Sequence, residues 1–75
     1  MSLRRGDVEI DAAALRRIRE EQAFTLRELG RRSGLDFATI SRLENNQRAA
    51  RLGTVRKLAD ALGVKPRDLM KGHNQ

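Results

Sequence analysis

The stretch "TLRELGRRSGLDFATISRLE" (25–44) constrains this chain more than any other. Thr25 and Glu28 stand in T-x-x-E spacing. The hydroxyl can accept from the N3 amide, and the carboxylate can reach back to the N-cap amide. Phe24 and Leu29 then fall at N′ and N4, the spacing of a hydrophobic staple. Gly34 suits the left-handed residue that closes a helix. Asp36 can cap a second helix at once, and Leu35 and Ile40 repeat the staple spacing. Asn45-Asn46 ends it, because Asn tolerates the left-handed conformation better than most residues. The spacing therefore predicts a short helix closing at Gly34 and another over 36–44, joined by a turn of about three residues.

Three more helices follow from periodicity. "DAAALRRIREEQ" (11–22) has Asp11 as its cap, Leu15 and Ile18 as an inward stripe, and Ile10 placed to staple onto Leu15. "LGTVRKLADALG" (52–63) puts Leu52, Val55, Leu58, Ala59 and Leu62 on one face, with Gly63 as its stop. "KPRDLM" (65–70) starts well with Pro66 at N1, but Lys65 offers no capping oxygen. Residues 1–10 carry little pattern and read as a flexible arm; 71–75 read as a tail and "QRAAR" (47–51) as a basic loop. No strand pattern, repeat or linker divides the chain. The expectation is one domain over 11–70, a compact all-α five-helix bundle.

The helix over 36–44 raises a question. Ile40 and Leu43 face inward, which leaves Phe37, Ala38, Ser41 and Arg42 on the open face. Phe37 is one of only two aromatic residues in the 75. The surrounding charge suggests what that face meets. The chain carries a net charge of +6, and residues 27–57 hold eight basic against three acidic residues. Such a local excess attracts polyanions, nucleic acid before anionic membrane. A solvated, arginine-rich surface is the plainer reading of the same charges.

Other functions fail on inventory. There is no Cys, and the one His, His73, sits in the polar tail. That excludes a disulfide framework and a thiolate or histidine-rich metal site. Glu20 and Glu21 lie on a charged helix face, and no phosphate-cradling glycine loop is present. An enzyme is not expected, nor a cofactor. No apolar run approaches bilayer length and no signal-peptide core is present, so a cytoplasmic protein without a membrane partner is expected.

A short helix, a tight glycine turn and a second short helix make a helix-turn-helix, whose second helix enters the DNA major groove. Here "LRRIREEQAFTLRELGRRSGLDFATISRLENNQRAARLGTVRKLADALGV" (15–64) resembles the Cro and phage-repressor (Xre-type) helix-turn-helix family, a lambda-repressor-like fold. The matching elements are Arg19, the Thr25 cap, Leu29, Gly34, "TISRLE" (39–44) and "LADALGV" (58–64). The resemblance implies sequence-specific binding of a double-stranded DNA operator, usually as a homodimer, by a bacterial or phage-derived regulator. It makes 36–44 the recognition helix, with Phe37, Ala38, Ser41 and Arg42 as base contacts. Arg42 can pair with a guanine edge, and Phe37 and Ala38 can meet a thymine methyl. Asp36 reads as a cap first, and second as an acceptor from a cytosine amino group.

The phosphate contacts are then expected from Thr25, Arg27, Thr39, Asn45, Gln47, Arg48 and Arg51, at helix starts and in the basic loop. Arg31 and Arg32 lie further along their helix and read as solvated charges. Arg19 and Glu44 match a pair that forms an internal salt bridge in relatives, which implies a structural role for both. Two departures stand out. Many members carry Gln where this chain has Leu26, and Gly where it has Asn46. The phosphate contact and brace made by that Gln are therefore not expected from Leu26.

Plainer readings stand beside these. Phe37 can be a core or dimer-interface aromatic, Arg42 an exposed arginine, and Arg48 and Arg51 ordinary loop charges. Leu69 and Met70 can pack on the first helix or belong to a dimer contact. At the level of the whole protein three readings stand: a stand-alone repressor; an antitoxin or mobile-element controller with a protein partner; and a helical protein-interaction module that has lost operator binding.

Overall fold

Asp11 begins the first helix by accepting from the Ala14 amide (3.1 Å), and α1 runs Ala12–Glu21. In this computed structural model residues 6–45, 47 and 49–72 are described. Asn46, Arg48 and His73 fall outside the described residues.

The end of α1 is a left-handed closure built on Ala23 (φ 60°). The Phe24 amide donates to Arg19 O (3.1 Å) and the Ala23 amide to Glu20 O (2.9 Å). That is the paired pattern that normally selects Gly at this position. Gln22 ties the same corner to the far end of the chain, donating through Nε2 to Leu62 O (2.6 Å).

The second helix, α2, spans Leu26–Ser33, and Gly34 closes it at φ 77°. The third, α3, spans Phe37–Asn45, with Asp36 Oδ1 accepting from the Ala38 amide (3.4 Å). The fourth, α4, spans Leu52–Leu62. Each turns an apolar face inward. Leu15, Leu29, Ile40, Leu43, Val55, Leu58 and Leu69 are fully buried in one cluster, with Phe24, Leu26, Leu35 and Val64 packed against it.

The expected five-helix count is not matched. Pro66–Leu69 forms a single 3-10 turn rather than a fifth α-helix. Met70 leaves that turn extended (φ −111°, ψ 142°) because it bridges to Ile10. Asp68 steadies the start, accepting from the Lys65 amide (3.1 Å) where Lys65 has no oxygen to offer.

Two strands were also not expected. Part of the presumed arm is β1 (Asp7–Glu9), paired antiparallel to β2 (Ala49–Arg51) in the presumed basic loop. The register sets Asp7 opposite Arg51, Val8 opposite Ala50 and Glu9 opposite Ala49. The chain continues into Ile10, which is 2% exposed, so the segment is part of the core boundary. "DVEI" does alternate polar and apolar residues, but four residues barely define a period. Leu52, expected inward, is 37% exposed because β2 runs straight into α4 and spends the first helical position on the surface.

Candidate nucleic-acid interface

The turn between α2 and α3 is held by backbone groups. Gly30 O accepts from the amides of Gly34 (2.8 Å) and Leu35 (3.1 Å). The approach is so close that a Cβ on Gly30 would lie 2.8 Å from Leu35 O. Gly30 therefore sets how near α3 starts to α2, a role that the spacing of motifs in the sequence does not assign to it. Its signal was a glycine in the middle of a short helix, where glycine is otherwise unfavourable.

Thr25 Oγ1 accepts from the Glu28 amide (3.0 Å), which caps α2. Among the described residues the reciprocal half of the expected box does not form. The Glu28 carboxylate instead takes Arg32 Nε (2.8 Å) and Arg31 Nη2. Both arginines, expected to be merely solvated, are paired within the helix. Their hydrogen bonds, Arg31's first, hold the Glu28 carboxyl below its ordinary value of 4.5.

At about 100° per residue, Ala38 and Arg42 project opposite Ile40, while Phe37 and Ser41 stand on one flank. Ile40, Leu43 and Glu44 form the buried side. Arg42 is exposed and has no ion-pair partner among the described residues. Phe37 is 40% exposed, with the Arg27 guanidinium 4.6 Å above its ring. Thr25, Arg27, Gly30, Arg31, Asp36 and Phe37 border one open groove between the starts of α2 and α3.

The end of α3 is tied down by side chains. Asn45 Nδ2 donates to Ser41 O (2.8 Å) and Ser41 Oγ (3.4 Å), and Asn45 Oδ1 accepts from Arg16 (3.3 Å). Arg19 donates to Glu44 through Nε (2.7 Å) and Nη2 (3.0 Å), and to Phe24 O through Nη1 (2.7 Å). Hydrogen bonding to Glu44, against a smaller opposing cost of burial, raises Arg19 above its ordinary value. Arg16 also reaches Glu44 (3.4 Å). These contacts dock the rear of α3 on α1 and leave its front uncovered.

The remaining expected residues are more scattered. Thr39 is half-buried and Gln47 exposed, with Gln47 Nε2 spent on Ala49 O (3.0 Å). Arg51 ends β2 and borders a separate depression with Gly6, Leu52, Thr54 and Lys57. Lys57 was not singled out from sequence, where it reads as one more charge on an amphipathic helix. No helix among the described residues is long and apolar enough to cross a membrane.

Comparisons with known proteins agree with this geometry. A family profile described as Helix-turn-helix matches residues 15–69. The chain is 42% identical over 57 residues to the HTH-type transcriptional repressor RghR of Bacillus subtilis (strain 168). The match spans 75% of this chain but only 42% of that repressor. The crystal structure of the restriction-modification controller protein C.AhdI from Aeromonas hydrophila superposes with a TM-score of 0.74 at 34% identity. That superposition covers 79% of this chain and 89% of the controller.

Proposed function

The chain belongs to the Xre-type helix-turn-helix family, and from that premise we propose that it is a DNA-binding transcriptional regulator acting by operator occupancy. The observation that carries this is the uncovered front of α3. Its rear is locked to α1 and α2, and Arg42, without an ion-pair partner among the described residues, projects from the free side. That is the arrangement a helix needs to lie in the major groove and present side chains to base edges.

In this reading Phe37, Ala38, Ser41 and Arg42 contact bases. Thr25, Arg27, Thr39, Asn45, Gln47 and Arg51 contact phosphates, together with Arg48. The α2 amides and the Thr25 cap lie beside the groove that would follow the backbone. Residues 11–70 act as the DNA-binding domain. The protein works in the cytoplasm as a homodimer on a palindromic site, and repression is favoured because blocking a promoter needs only occupancy.

A second reading is a controller of a restriction-modification or similar mobile locus. The likeness to C.AhdI over most of that controller's length favours it. A neighbouring reading frame for a nuclease or methyltransferase would support this version, and a gene set without either would remove it.

The test is a fluorescence-anisotropy titration at several salt concentrations. One duplex carries the DNA upstream of the protein's own gene, the other a scrambled sequence. Tighter binding to the first, with affinity falling steeply with salt on both, is the expected result. No binding to either at low salt would overturn the reading in favour of a protein-interaction module.

A further inference from the structure

Two arginines of α2 lie over phenylalanine rings, both 4.6 Å from the ring centroid. They are not equivalent. Arg32 stacks on Phe24, which packs against the core, and its Nε is committed to Glu28 (2.8 Å). That stack is closed and structural. Arg27 stacks on Phe37, which is 40% exposed at the first position of α3. Among the described residues Arg27 makes no ion pair and no side-chain hydrogen bond. The guanidinium carbon lies over the ring face, and none of the five N–H donors of the group is committed to another residue among those described. The open stack thus combines an exposed apolar ring with a set of donors uncommitted among the described residues, at the mouth of one groove.

We propose that Arg27 is a positioning residue for base reading, holding the Phe37 ring where it meets a thymine C5-methyl while its own in-plane donors take the adjacent phosphate. The proposal rests on the DNA-binding reading and adds a specificity determinant to it. The thymine methyl is the apolar group that a base pair offers in the major groove. An exposed Phe at a helix start would otherwise sample several rotamers. The guanidinium restricts that freedom from one side, and binding of phosphate anchors the guanidinium in turn. Base readout and backbone grip, normally separate, are coupled through this stack.

The test starts from duplexes selected out of a randomised library by the wild-type chain. Each thymine of the selected site is replaced in turn by deoxyuridine, which removes only the methyl group. Wild type is expected to lose about fourfold in affinity at one position, the worth of one buried methyl. Arg27→Ala should abolish that methyl penalty and reduce the salt slope by about one. Arg27→Lys should keep the salt slope yet still shrink the penalty, because an ammonium cannot lie flat on the ring. Phe37→Ala should abolish the penalty with the slope intact. Circular dichroism checks that each variant is folded.

An unchanged methyl penalty in Arg27→Ala would overturn the proposal and leave Arg27 a simple phosphate clamp. A selected site with no methyl-sensitive thymine would also overturn it, with sequence-specific binding still standing. Failure to select any duplex would overturn it together with the DNA-binding reading.

Discussion

Glu44 of α3 and Arg19 of α1 form a two-pronged pair across 25 residues of sequence, at 2.7 and 3.0 Å. The Glu44 side chain is 1% exposed and that of Arg19 is 11% exposed. Every buried side-chain nitrogen and oxygen among the described residues finds a partner. A buried pair of this kind is fragile to removal of one half, since the survivor is left charged and desolvated. Glu44→Ala should cost roughly 3–5 kcal/mol, a large share of the stability of so small a domain. Arg16→Ala should cost about 1 kcal/mol or less, because Arg16 is half exposed and reaches Glu44 only at 3.4 Å. Urea denaturation of both variants checks this, and equal losses would mean that Arg16 carries as much of the docking as Arg19.

Gly30→Ala sets two effects against each other. Alanine is the better helix former by about 1 kcal/mol. Its Cβ, however, would meet Leu35 O at 2.8 Å, and that oxygen belongs to the backbone of the turn. The clash should win, with a net loss of roughly 1–3 kcal/mol and weaker DNA binding as α3 shifts outward. A stabilised variant would show that the turn relaxes freely.

Ala23→Gly should do the opposite. Ala23 sits at φ 60°, where a Cβ is penalised. Removing it should stabilise the protein by about 0.5–1 kcal/mol, the left-handed strain outweighing the added freedom of the unfolded chain. A thermal melt a few degrees higher is the expected readout, and a lower one would mean that the α1 closure is not left-handed in solution.

Glu28 links stability to pH. Its carboxyl is held below 4.5 by Arg31 and Arg32, so it stabilises the folded state above the unfolded value. That contribution is lost as pH falls through the depressed folded value. Melting curves of Glu28→Gln should lie slightly below wild type at neutral pH and converge with it in acid. Parallel curves at every pH would show that the pairs with Arg31 and Arg32 contribute nothing in solution.

Arg42→Ala should weaken binding to a selected operator by far more than binding to random DNA. A bidentate guanine contact is worth roughly 1–3 kcal/mol of discrimination. Equal losses on both duplexes would make Arg42 a phosphate contact.

The cap residues Asp11 and Thr25, the inward stripes of α1 to α4 apart from Leu52, and the Gly34 turn were legible in the sequence. Each depends on groups within a turn or two along the chain, so spacing alone decides it. Phe37, Ala38 and Arg42 could be placed off the buried face for the same reason. Arg19 and Glu44 were linked through resemblance, not through any local pattern, and their contact bridges two helices.

Tertiary structure decided the rest. β1 exists because Ala49–Arg51 lies beside it, and Met70 is extended because Ile10 pairs with it. Glu28 turned from the cap to Arg31 and Arg32, where two full charges outcompete one amide dipole. The stacking of Arg27 on Phe37 and the close approach at Gly30 both require two helices to be brought together first. By itself the sequence determined where α1 to α4 start and stop and most of what they bury, because those choices are settled among near neighbours. Only the folded chain decided which uncommitted donor meets which exposed ring, because that depends on distances between segments that local spacing does not set.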